Sequence, residues 1–286
     1  MDIPVTFQCN SKCLFCIYDT RQMPWLGNPP ADQIKAKIKS TPEEECIGLT
    51  GGEPTLSPNL SQIVEFVLEQ NPEREIFIVT NGRKFAEKEY AMQFKKFSGK
   101  NLFFGIPLLS HEEKAHDFLT GIRGSWNETI QGIKNLQKLG FAIEVRVLVC
   151  KQNYRDLAKT AEFIARELKG VFRVVFINLK YTGNAFINRQ LLFVHYKTLV
   201  PFVQQAVEVL KKNKVEVKMF HFPLCTISNK YWEHAKGITK QEKELKFAKK
   251  CFYCKAKNEC CRIWRSYPPL AGEEEFKPIR KITTKQ

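Results

Sequence analysis

An α/β fold built on a parallel sheet is predicted by three features of this 286-residue sequence. Six strand-like apolar segments alternate with six helix-like segments, and such alternation produces a parallel sheet with helices outside it. Turn-forming Gly, Pro and Asn residues separate the segments. Two loops, one rich in Cys and one in Gly, directly follow strands, at the edge where such folds place their ligand sites. The alternation alone permits either a barrel or a doubly wound sheet.

The strands are predicted from short apolar runs bounded by turn residues. These runs are residues 5–7, 46–49, 75–79, 102–108, 141–150 and 171–179, with 215–219 as a last strand-like segment. Apolar side chains at helical spacing predict the helices. Four of them are residues 32–39, 59–70, 84–97 and 199–210.

The two remaining helices carry signals for their ends. Ser125, followed by Glu128 three residues later, predicts a capping box, and Gly140 predicts the end of that helix. Asn153 predicts the N-cap of the next helix, which Gly170 ends. Both helices then lie between predicted strands, as the alternation requires.

The fifth strand predicts what the inner face of the sheet carries. Ile143, Val145, Val147 and Val149 alternate with Glu144, Arg146, Leu148 and Cys150. The first set suits the helix-covered face, which leaves Glu144, Arg146 and Cys150 on the inner face. Buried charges are costly unless they pair or bind something. Arg146 is therefore either the partner of Glu144 or a ligand-binding residue.

Composition and charge exclude some classes of protein and indicate partners. Hydrophobic residues make up 43% of the chain, but no apolar run is long enough to span a bilayer. No signal peptide is visible, so a cytoplasmic protein without membrane contact is expected. The net charge of +15 indicates polyanionic or acidic partners. A Lys-rich surface of the kind found in thermophiles is the alternative explanation.

The first cluster of cysteines is Cys9, Cys13 and Cys16. Thiols at this spacing are too close for disulfides among themselves, and without a secretion signal metal binding is the better explanation. A [4Fe–4S] cluster normally takes four Cys ligands, so a three-Cys loop leaves one iron open to another ligand. A structural zinc loop is the alternative.

The second chemical signal is the run Thr-Gly-Gly-Glu-Pro-Thr that follows the second strand. Gly51 and Gly52 allow the backbone to approach a ligand closely. Glu53 adds a carboxylate that suits a cationic amino group. Without the cysteine loop, the same run could be a turn before the helix at 59–70.

Together the two loops resemble the radical S-adenosylmethionine (SAM) superfamily. The resemblance implies a partial (β/α)6 TIM-like barrel and a [4Fe–4S] cluster whose open iron chelates SAM. It implies that Gly51, Gly52 and Glu53 contact the methionine amino group and that Arg146 meets the carboxylate. Further cofactor contacts are implied for Phe15, Asn81 and Ser110.

The segment 110–139 is similar to the branch of this superfamily that modifies peptides and proteins. His111 and His116 are candidate proton-transfer groups. The alternative is that the segment is a scaffold that positions the ribose side of the cofactor.

A second cluster of cysteines lies near the C-terminus. Cys251 and Cys254 form a Cys-x2-Cys pair, and Cys260 with Cys225 completes four ligands. Zinc and a [4Fe–4S] cluster both accept four thiolates. The arrangement resembles the twitch or SPASM extensions that carry an auxiliary cluster, which favours iron–sulfur. Cys261 beside Cys260 leaves the fourth ligand ambiguous.

These observations predict a core at residues 1–220 and a Cys-rich extension at 221–286. As the resemblance implies, the enzyme reductively cleaves SAM to a 5′-deoxyadenosyl radical that abstracts hydrogen from a peptide or protein side chain. RNA, such as tRNA, and small molecules are alternative substrates, and a non-enzymatic iron–sulfur electron carrier is an alternative class. A ferredoxin or flavodoxin is the expected electron donor. Cys150, at the end of the fifth strand, is a candidate hydrogen-atom donor or auxiliary-cluster ligand, and a buried packing residue is the alternative.

Overall fold

The main sheet has seven parallel strands, and each strand pairs with the next one in the sequence. The computed structural model describes residues 1–19, 21, 26–237 and 242–282. The strands are β1 (Asp2–Thr6), β2 (Ile47–Gly51), β3 (Ile76–Val79), β4 (Leu102–Pro107), β5 (Ala142–Val149), β6 (Arg173–Asn178) and β7 (Glu216–Phe220). Within the described residues β1 and β7 are the two ends of the sheet, so the barrel is partial, as predicted. The strand-like segment near 215 supplies the seventh strand.

Helices and a small hairpin complete the fold. The helices are α1 (Ala31–Ser40), α2 (Leu60–Gln70), α3 (Lys88–Met92), α4 (Glu113–Thr120), α5 (Ser125–Lys138), α6 (Leu157–Glu167), α7 (Gly183–Ile187), α8 (Arg189–Leu192), α9 (Tyr196–Lys212), α10 (Trp232–Ala235) and α11 (Pro268–Ala271). β8 (Leu245–Lys246) and β9 (Ile263–Trp264) form an antiparallel pair. None of the helices in these described segments is long and apolar enough to cross a membrane.

The two faces of β5 differ as the sequence predicts. Its apolar set is buried in one continuous core with residues of the surrounding helices, such as Ile133 of α5 and Val203 of α9. Glu144 lies on the other face, where its register partner on β6 is Arg173. Side chains in register on parallel strands point to the same face, so the inner face carries an ion pair.

The predicted helix at 84–97 is broken in the structure. α3 occupies its middle, and 3-10 turns occupy Arg83–Ala86 and Lys95–Phe97. The rings of Phe85 and Phe94 both contact Phe104 of β4, at 5.2 and 6.3 Å. Residues nine positions apart lie on opposite faces of a continuous α-helix, so both rings reach the core only because the helix breaks.

The predicted capping box at α5 is wrong. The Ser125 hydroxyl donates to Asp117 Oδ1 at 2.8 Å, and Trp126 N–H donates to the same oxygen at 2.9 Å. The Glu128 carboxylate instead pairs with Arg83 at 2.5 Å. A carboxylate from α4 therefore satisfies the first turn of α5, which leaves Glu128 available to Arg83.

The predicted N-cap role of Asn153 is also wrong. Its Oδ1 accepts from Cys150 N–H at 2.9 Å, and its Nδ2 donates to the carbonyls of Leu109 and Leu148 at 2.9 and 2.8 Å. A 3-10 turn then separates it from α6. Asn153 joins the chain after β4 to the end of β5, because three backbone groups there lack strand partners.

The extension packs directly on the barrel. Trp264 Nε1 donates to the carbonyl of Asn178 at the end of β6, at 3.1 Å. The ring of Tyr267 lies 5.0 Å from that of Tyr196 on α9, and Phe276 lies 5.6 Å from the same ring. The extension and the barrel therefore share one apolar core.

Candidate active site

The cysteine loop follows β1 directly and lies at the carboxyl edge of the sheet. Cys9 is exposed, and Cys13 and Cys16 are half-buried. The Ser11 N–H donates to Cys9 Sγ at 3.4 Å, and the Cys16 N–H donates to the Cys13 carbonyl at 3.3 Å. These bonds fold the loop back on itself, so the three thiols belong to one compact turn.

The end of α4 anchors this loop on one side. The Lys12 and Leu14 N–H groups donate to the carbonyls of Thr120 and Leu119, both at 2.9 Å. Gly121 ends α4 with φ 69°, and a Cβ there would lie 2.7 Å from the Lys12 carbonyl oxygen. Only glycine fits this left-handed, crowded position.

The turn after β3 anchors the loop on a second side. Asn81 Nδ2 donates to Asn10 Oδ1 at 2.7 Å and to Ser11 Oγ at 3.2 Å. The Arg83 guanidinium donates to the Asn10 carbonyl at 2.6 Å. Asn81, predicted from the resemblance to bind cofactor, thus contacts the loop that carries the thiols.

The segment after β6 clamps the loop on a third side. Asn184 Nδ2 donates to the Cys13 carbonyl at 3.0 Å, and Asn188 Nδ2 donates to the Leu14 carbonyl at 3.1 Å. The Asn184 N–H also donates to the Tyr18 carbonyl at 3.0 Å. Sequence reasoning missed both asparagines. Their signal is an i, i+4 pair just past a strand end, where it can meet the loop after β1.

The electrostatics of the loop suit thiols that become thiolates only when a metal group binds. Desolvation raises the pKa of Cys9 to about 11, although part of this residue is exposed. Desolvation raises the pKa values of Cys13 and Cys16 as well. Cationic iron would offset this cost, because metal ligands must be deprotonated.

The glycine loop packs on the backbone that leads to Cys9. A Cβ at Gly51, where φ is 143°, would lie 2.1 Å from the Thr6 carbonyl oxygen, and one at Gly52 would lie 2.2 Å from that of Gln8. The Gly52 N–H donates to the Thr6 carbonyl at 2.8 Å. The close approach that the sequence predicts is therefore made to the chain itself. The predicted contact with SAM stays a prediction.

Glu53 is buried and joins two loops at the carboxyl edge. Its Oε1 accepts from Thr55 N and Oγ1 at 3.1 and 2.7 Å and from Thr80 Oγ1 at 2.5 Å. Its Oε2 accepts from the Asn81 N–H at 2.6 Å. Burial raises the pKa of this carboxyl, and the four hydrogen bonds oppose the rise. Glu53 therefore holds the turn after β3 against the glycine loop.

Arg146 lies on the inner face, but Glu144 has a closer partner. Arg173 donates to Glu144 Oε2 from both Nε and a terminal nitrogen, at 2.8 and 2.6 Å. Arg146 Nε lies 3.7 Å from Glu144 Oε1, and its guanidinium lies over the Phe77 ring at 5.7 Å. The Arg146 side chain is 22% exposed to the lumen. Sequence reasoning missed Arg173. Because Arg173 makes the two hydrogen bonds to Glu144, most of the guanidinium donors of Arg146 are available to another anion.

Phe15 and Cys150 share a small apolar cluster at the mouth of the barrel. Phe15 packs against buried residues that include Leu119, Cys150 and Tyr181. Cys150 is 2% exposed, and burial raises its pKa to about 12. The predicted location at the mouth agrees with the structure, and the thiol is packed there among apolar side chains.

The segment after β4 behaves as a scaffold in this structure. Ser110 Oγ accepts from the Glu112 N–H at 3.0 Å, and the Ser110 carbonyl accepts from Trp126 Nε1 at 3.1 Å. His116 Nδ1 accepts from a backbone N–H at 3.2 Å, and burial lowers the pKa of His116 to about 4. The His111 N–H donates to Thr160 Oγ1 at 3.2 Å. A buried neutral imidazole suits positioning better than proton transfer near neutral pH.

The C-terminal thiols surround a second site. Cys225, Cys251, Cys254 and Cys260 all line one pocket. Within the described segments, no three His, Cys, Asp or Glu side chains gather closely enough to hold a single metal ion. The structure therefore brings the four predicted ligands of this site around one pocket.

Cys261 is not among the residues that line this pocket. It is 2% exposed, and its Sγ donates to the Arg262 carbonyl at 3.4 Å. A hydrogen bond from Cys261 lowers the pKa of Cys260 to about 6. Cys260 is thus the neighbour that lines the pocket, and its assignment as the fourth ligand stays a prediction.

A protein-family model matches this chain and shows the family to which it belongs. The model of the radical SAM superfamily matches residues 3–164, more than half of the chain. The chain belongs to the radical SAM superfamily. Members of this superfamily use a [4Fe–4S] cluster and SAM, and the matched region contains the cysteine loop, the glycine loop and Arg146.

Named relatives cover a range of chemistries. The chain is 24% identical over 229 residues to Fe-coproporphyrin III synthase of Methanosarcina barkeri, which covers 79% of this chain and 54% of that protein. It is 25% identical over 160 residues to AlbA, the antilisterial bacteriocin subtilosin biosynthesis protein of Bacillus subtilis, covering 55% and 35%. The chain thus spans about half or less of the length of these relatives.

A solved structure shares the fold. Streptococcus suis SuiB, bound to its precursor peptide SuiA, superposes with a TM-score of 0.62 at 17% identity, covering 76% of this chain and 48% of SuiB. This likeness confirms the partial barrel of the radical SAM fold.

Proposed function

We propose that this radical SAM protein is an enzyme that abstracts hydrogen from a peptide or protein side chain. The observation that carries the proposal is the three-thiol loop, held from three sides at the carboxyl edge of the barrel. When bound there, a [4Fe–4S] cluster with SAM supplies a 5′-deoxyadenosyl radical. Cys9, Cys13 and Cys16 would hold that cluster, and three ligands would leave one iron open to SAM.

The chain's own residues position the reacting groups. The hydrogen bonds from Asn81, Asn184 and Asn188 keep the cysteine loop in one conformation. Arg146 presents guanidinium donors to the lumen, where the SAM carboxylate would be an anionic partner. Glu53 holds the turn after β3, which carries Asn81, against the glycine loop.

The extension, residues 221–286, is proposed to hold an auxiliary [4Fe–4S] cluster, while residues 1–220 form the catalytic core. Cys225, Cys251, Cys254 and Cys260 supply four ligands around one pocket. Zinc and a [4Fe–4S] cluster both accept four thiolates. The resemblance of this region to twitch and SPASM extensions, which carry auxiliary clusters, favours the cluster.

An exposed apolar rim beside the cysteine loop favours a peptide or protein substrate. Its members are 38–48% exposed and are Ile17, Tyr18, Phe186, Ile187 and Leu191. The hydrogen bond from Asn184 to the Tyr18 carbonyl holds the two halves of the rim together. Exposed apolar patches next to a site mark interaction surfaces for apolar or peptide ligands. The bound SuiA in SuiB and the bacteriocin pathway of AlbA are consistent with this class.

A small molecule is the second candidate, because Fe-coproporphyrin III synthase matches 79% of the chain. RNA is the third candidate, supported by the basic charge and by Lys and Arg residues interleaved with aromatic side chains such as Tyr231, Trp232, Phe247 and Trp264. All ten cysteines are free thiols, which suits a reducing cytoplasm and a ferredoxin or flavodoxin as electron donor.

The test is anaerobic incubation of the reconstituted chain with SAM and dithionite. The wild type should form 5′-deoxyadenosine, and Cys16→Ala should form none. Cys46→Ala, a matched thiol removal outside both sites, should behave as the wild type. A wild-type chain that contains its iron and forms no 5′-deoxyadenosine would contradict the enzyme, and an iron–sulfur carrier would remain.

Substrate class follows from the same assay with added candidates. A pool of synthetic peptides should accelerate 5′-deoxyadenosine formation at least about tenfold, and Phe186→Ser with Ile187→Ser should remove that acceleration while leaving basal cleavage intact. Acceleration by a small molecule such as GTP, the reactant named for the GTP 3′,8-cyclase of Nautilia profundicola, or by tRNA, but not by peptides, would instead support that substrate class.

A further inference from the structure

The extension carries an exposed surface that combines aromatic and basic side chains beside the auxiliary thiols. Its residues, which we call the basic aromatic patch, are Lys249, Lys250, Phe252, Tyr253, Lys255 and Arg280. We propose that this patch docks a small acidic electron-transfer protein of the flavodoxin or ferredoxin type. The proposal rests on the proposed auxiliary cluster.

Two aromatic side chains form the centre of the patch. Phe252 is 77% exposed and Tyr253 is 64% exposed, the two highest values among the large hydrophobic residues of the described chain. Their rings pack edge to face with centroids 5.1 Å apart. Large exposed aromatics have no packing role in the monomer, and they are enriched at the centres of protein interfaces.

Unpaired cations surround these rings. Lys249, Lys250, Lys255 and Arg280 are exposed, and none of them forms an ion pair with a described side chain. The Lys255 N–H donates to the Ile279 carbonyl at 2.9 Å, which brings the last part of the chain alongside. The Arg280 guanidinium then lies 5.4 Å from the Tyr253 ring centre. An apolar centre with a cationic rim is complementary to an acidic protein surface.

The charge of the chain is concentrated in this part of the molecule. Residues 221–286 contain fifteen Lys and Arg against seven Asp and Glu, which is +8 of the chain's +15. The net charge therefore steers an acidic partner towards the extension more strongly than towards the rest of the barrel.

The position of the rings relates this surface to electron transfer. Phe252 and Tyr253 stand between Cys251 and Cys254, which both line the auxiliary pocket. A protein that contacts the two rings therefore contacts residues directly adjacent in the sequence to two thiols of the auxiliary site. Four thiolates would fill every iron position of the cluster, so no iron would be open to substrate. The proposed role of such a fully ligated cluster is therefore electron transfer.

The step is a one-electron exchange. A reduced carrier loses one electron and the auxiliary site gains one, while no bond is made or broken and no proton moves. The carrier is the reductant, and it is regenerated outside this protein.

The patch suits a protein better than a nucleic acid. Single-stranded nucleic acids need free ring faces for base stacking. Here the two rings meet at 86°, and Arg280 lies against Tyr253. The rings are therefore arranged as a compact knob rather than as a stacking platform.

The test measures binding of an acidic flavodoxin and an acidic 2[4Fe–4S] ferredoxin to the reconstituted full chain by calorimetry. At least one carrier should bind at low salt and weaken as salt rises, because the contact is electrostatic. The triple variant Lys249→Glu, Lys250→Glu and Lys255→Glu should bind that carrier at least about tenfold more weakly. It should also be reduced more slowly by it in stopped-flow spectroscopy.

A matched variant controls for net charge. Lys37→Glu, Lys88→Glu and Lys100→Glu changes the charge equally at exposed positions of the barrel and should leave carrier affinity within about threefold. Dithionite bypasses the carrier, so the patch variant should still form 5′-deoxyadenosine with it. If the wild type forms no 5′-deoxyadenosine with dithionite, the proposed function is contradicted. The calorimetric affinity for the carrier tests the patch independently of that result.

Two outcomes would overturn the inference. One is that the wild type binds neither carrier, or that the patch variant binds as the wild type does. The other is that tRNA binds the wild type but not the patch variant, while neither carrier binds the wild type. The patch would then be a nucleic-acid surface.

Discussion

Glu53→Gln tests whether the buried carboxylate supports the site before any cofactor binds. Gln keeps the size of Glu, and its carbonyl oxygen can take the place of Oε1 with its three hydrogen bonds from Thr55 and Thr80. Its NH2 group would then face the Asn81 N–H across the present 2.6 Å contact, donor against donor. One charge-assisted hydrogen bond is lost, and a buried N–H is left without an acceptor.

The expected loss of stability follows from that count. A hydrogen bond to a charged group contributes about 1.5–3 kcal/mol, and removing the buried charge offsets part of the loss. We expect a net cost of about 2 kcal/mol, which for a chain of 286 residues lowers Tm by about 3 °C. Thr80→Val, which deletes the 2.5 Å bond to Oε1, should lower Tm in the same direction.

The assay is thermal unfolding of the cofactor-free, reduced protein followed by circular dichroism. Without cofactor, a contact between Glu53 and SAM cannot contribute to the result. Glu65→Gln, at an exposed carboxylate paired with Lys96 on the surface, is the control and should shift Tm by little. An unchanged Tm in Glu53→Gln would refute the reasoning and leave Glu53 with a role towards the cofactor alone.

Three further predictions concern the clusters and the inner face. Anaerobic reconstitution should give about eight irons per chain, and Ala at Cys9, Cys13 and Cys16 together should leave about four. Zinc with a single cluster's worth of iron would contradict the auxiliary cluster. Arg146→Ala should weaken SAM affinity about ten- to hundredfold without loss of iron, since a charge-assisted contact contributes ~1.5–3 kcal/mol, and unchanged affinity would assign Arg146 to Glu144 alone. Cys150→Ala should keep SAM cleavage and lose only about 1 kcal/mol of stability, whereas missing product despite normal cleavage would give the thiol a chemical role.

Local patterns in the sequence determined the architecture and the two sets of thiols. Alternating apolar runs predict a parallel sheet because strand and helix periods differ and can be read within a few residues. The Cys-x3-Cys-x2-Cys loop and the Cys-x2-Cys pair are likewise local, because one metal group requires its ligands to be close. The opposite faces of β5 also follow from local alternation, and the structure places Glu144 and its apolar neighbours accordingly.

Tertiary structure decided which partners those residues have. Glu144 pairs with Arg173 because β5 and β6 lie in register, and no spacing along the chain states that register. Their sequence neighbours predict helix-capping roles for Glu128 and Asn153. In the folded chain, Glu128 pairs with Arg83 and Asn153 donates to the Leu109 carbonyl, so neither side chain caps a helix.

The site shows the same division. Sequence alone points to the loops after β1 and β2, but not to Asn184 and Asn188, which lie more than 160 residues beyond the carbonyls that they hold. It left Cys260 and Cys261 equivalent, because neighbours in the chain have equal reach. In the folded extension they differ, because Cys260 lines the pocket whereas Cys261 is buried and is not among the lining residues.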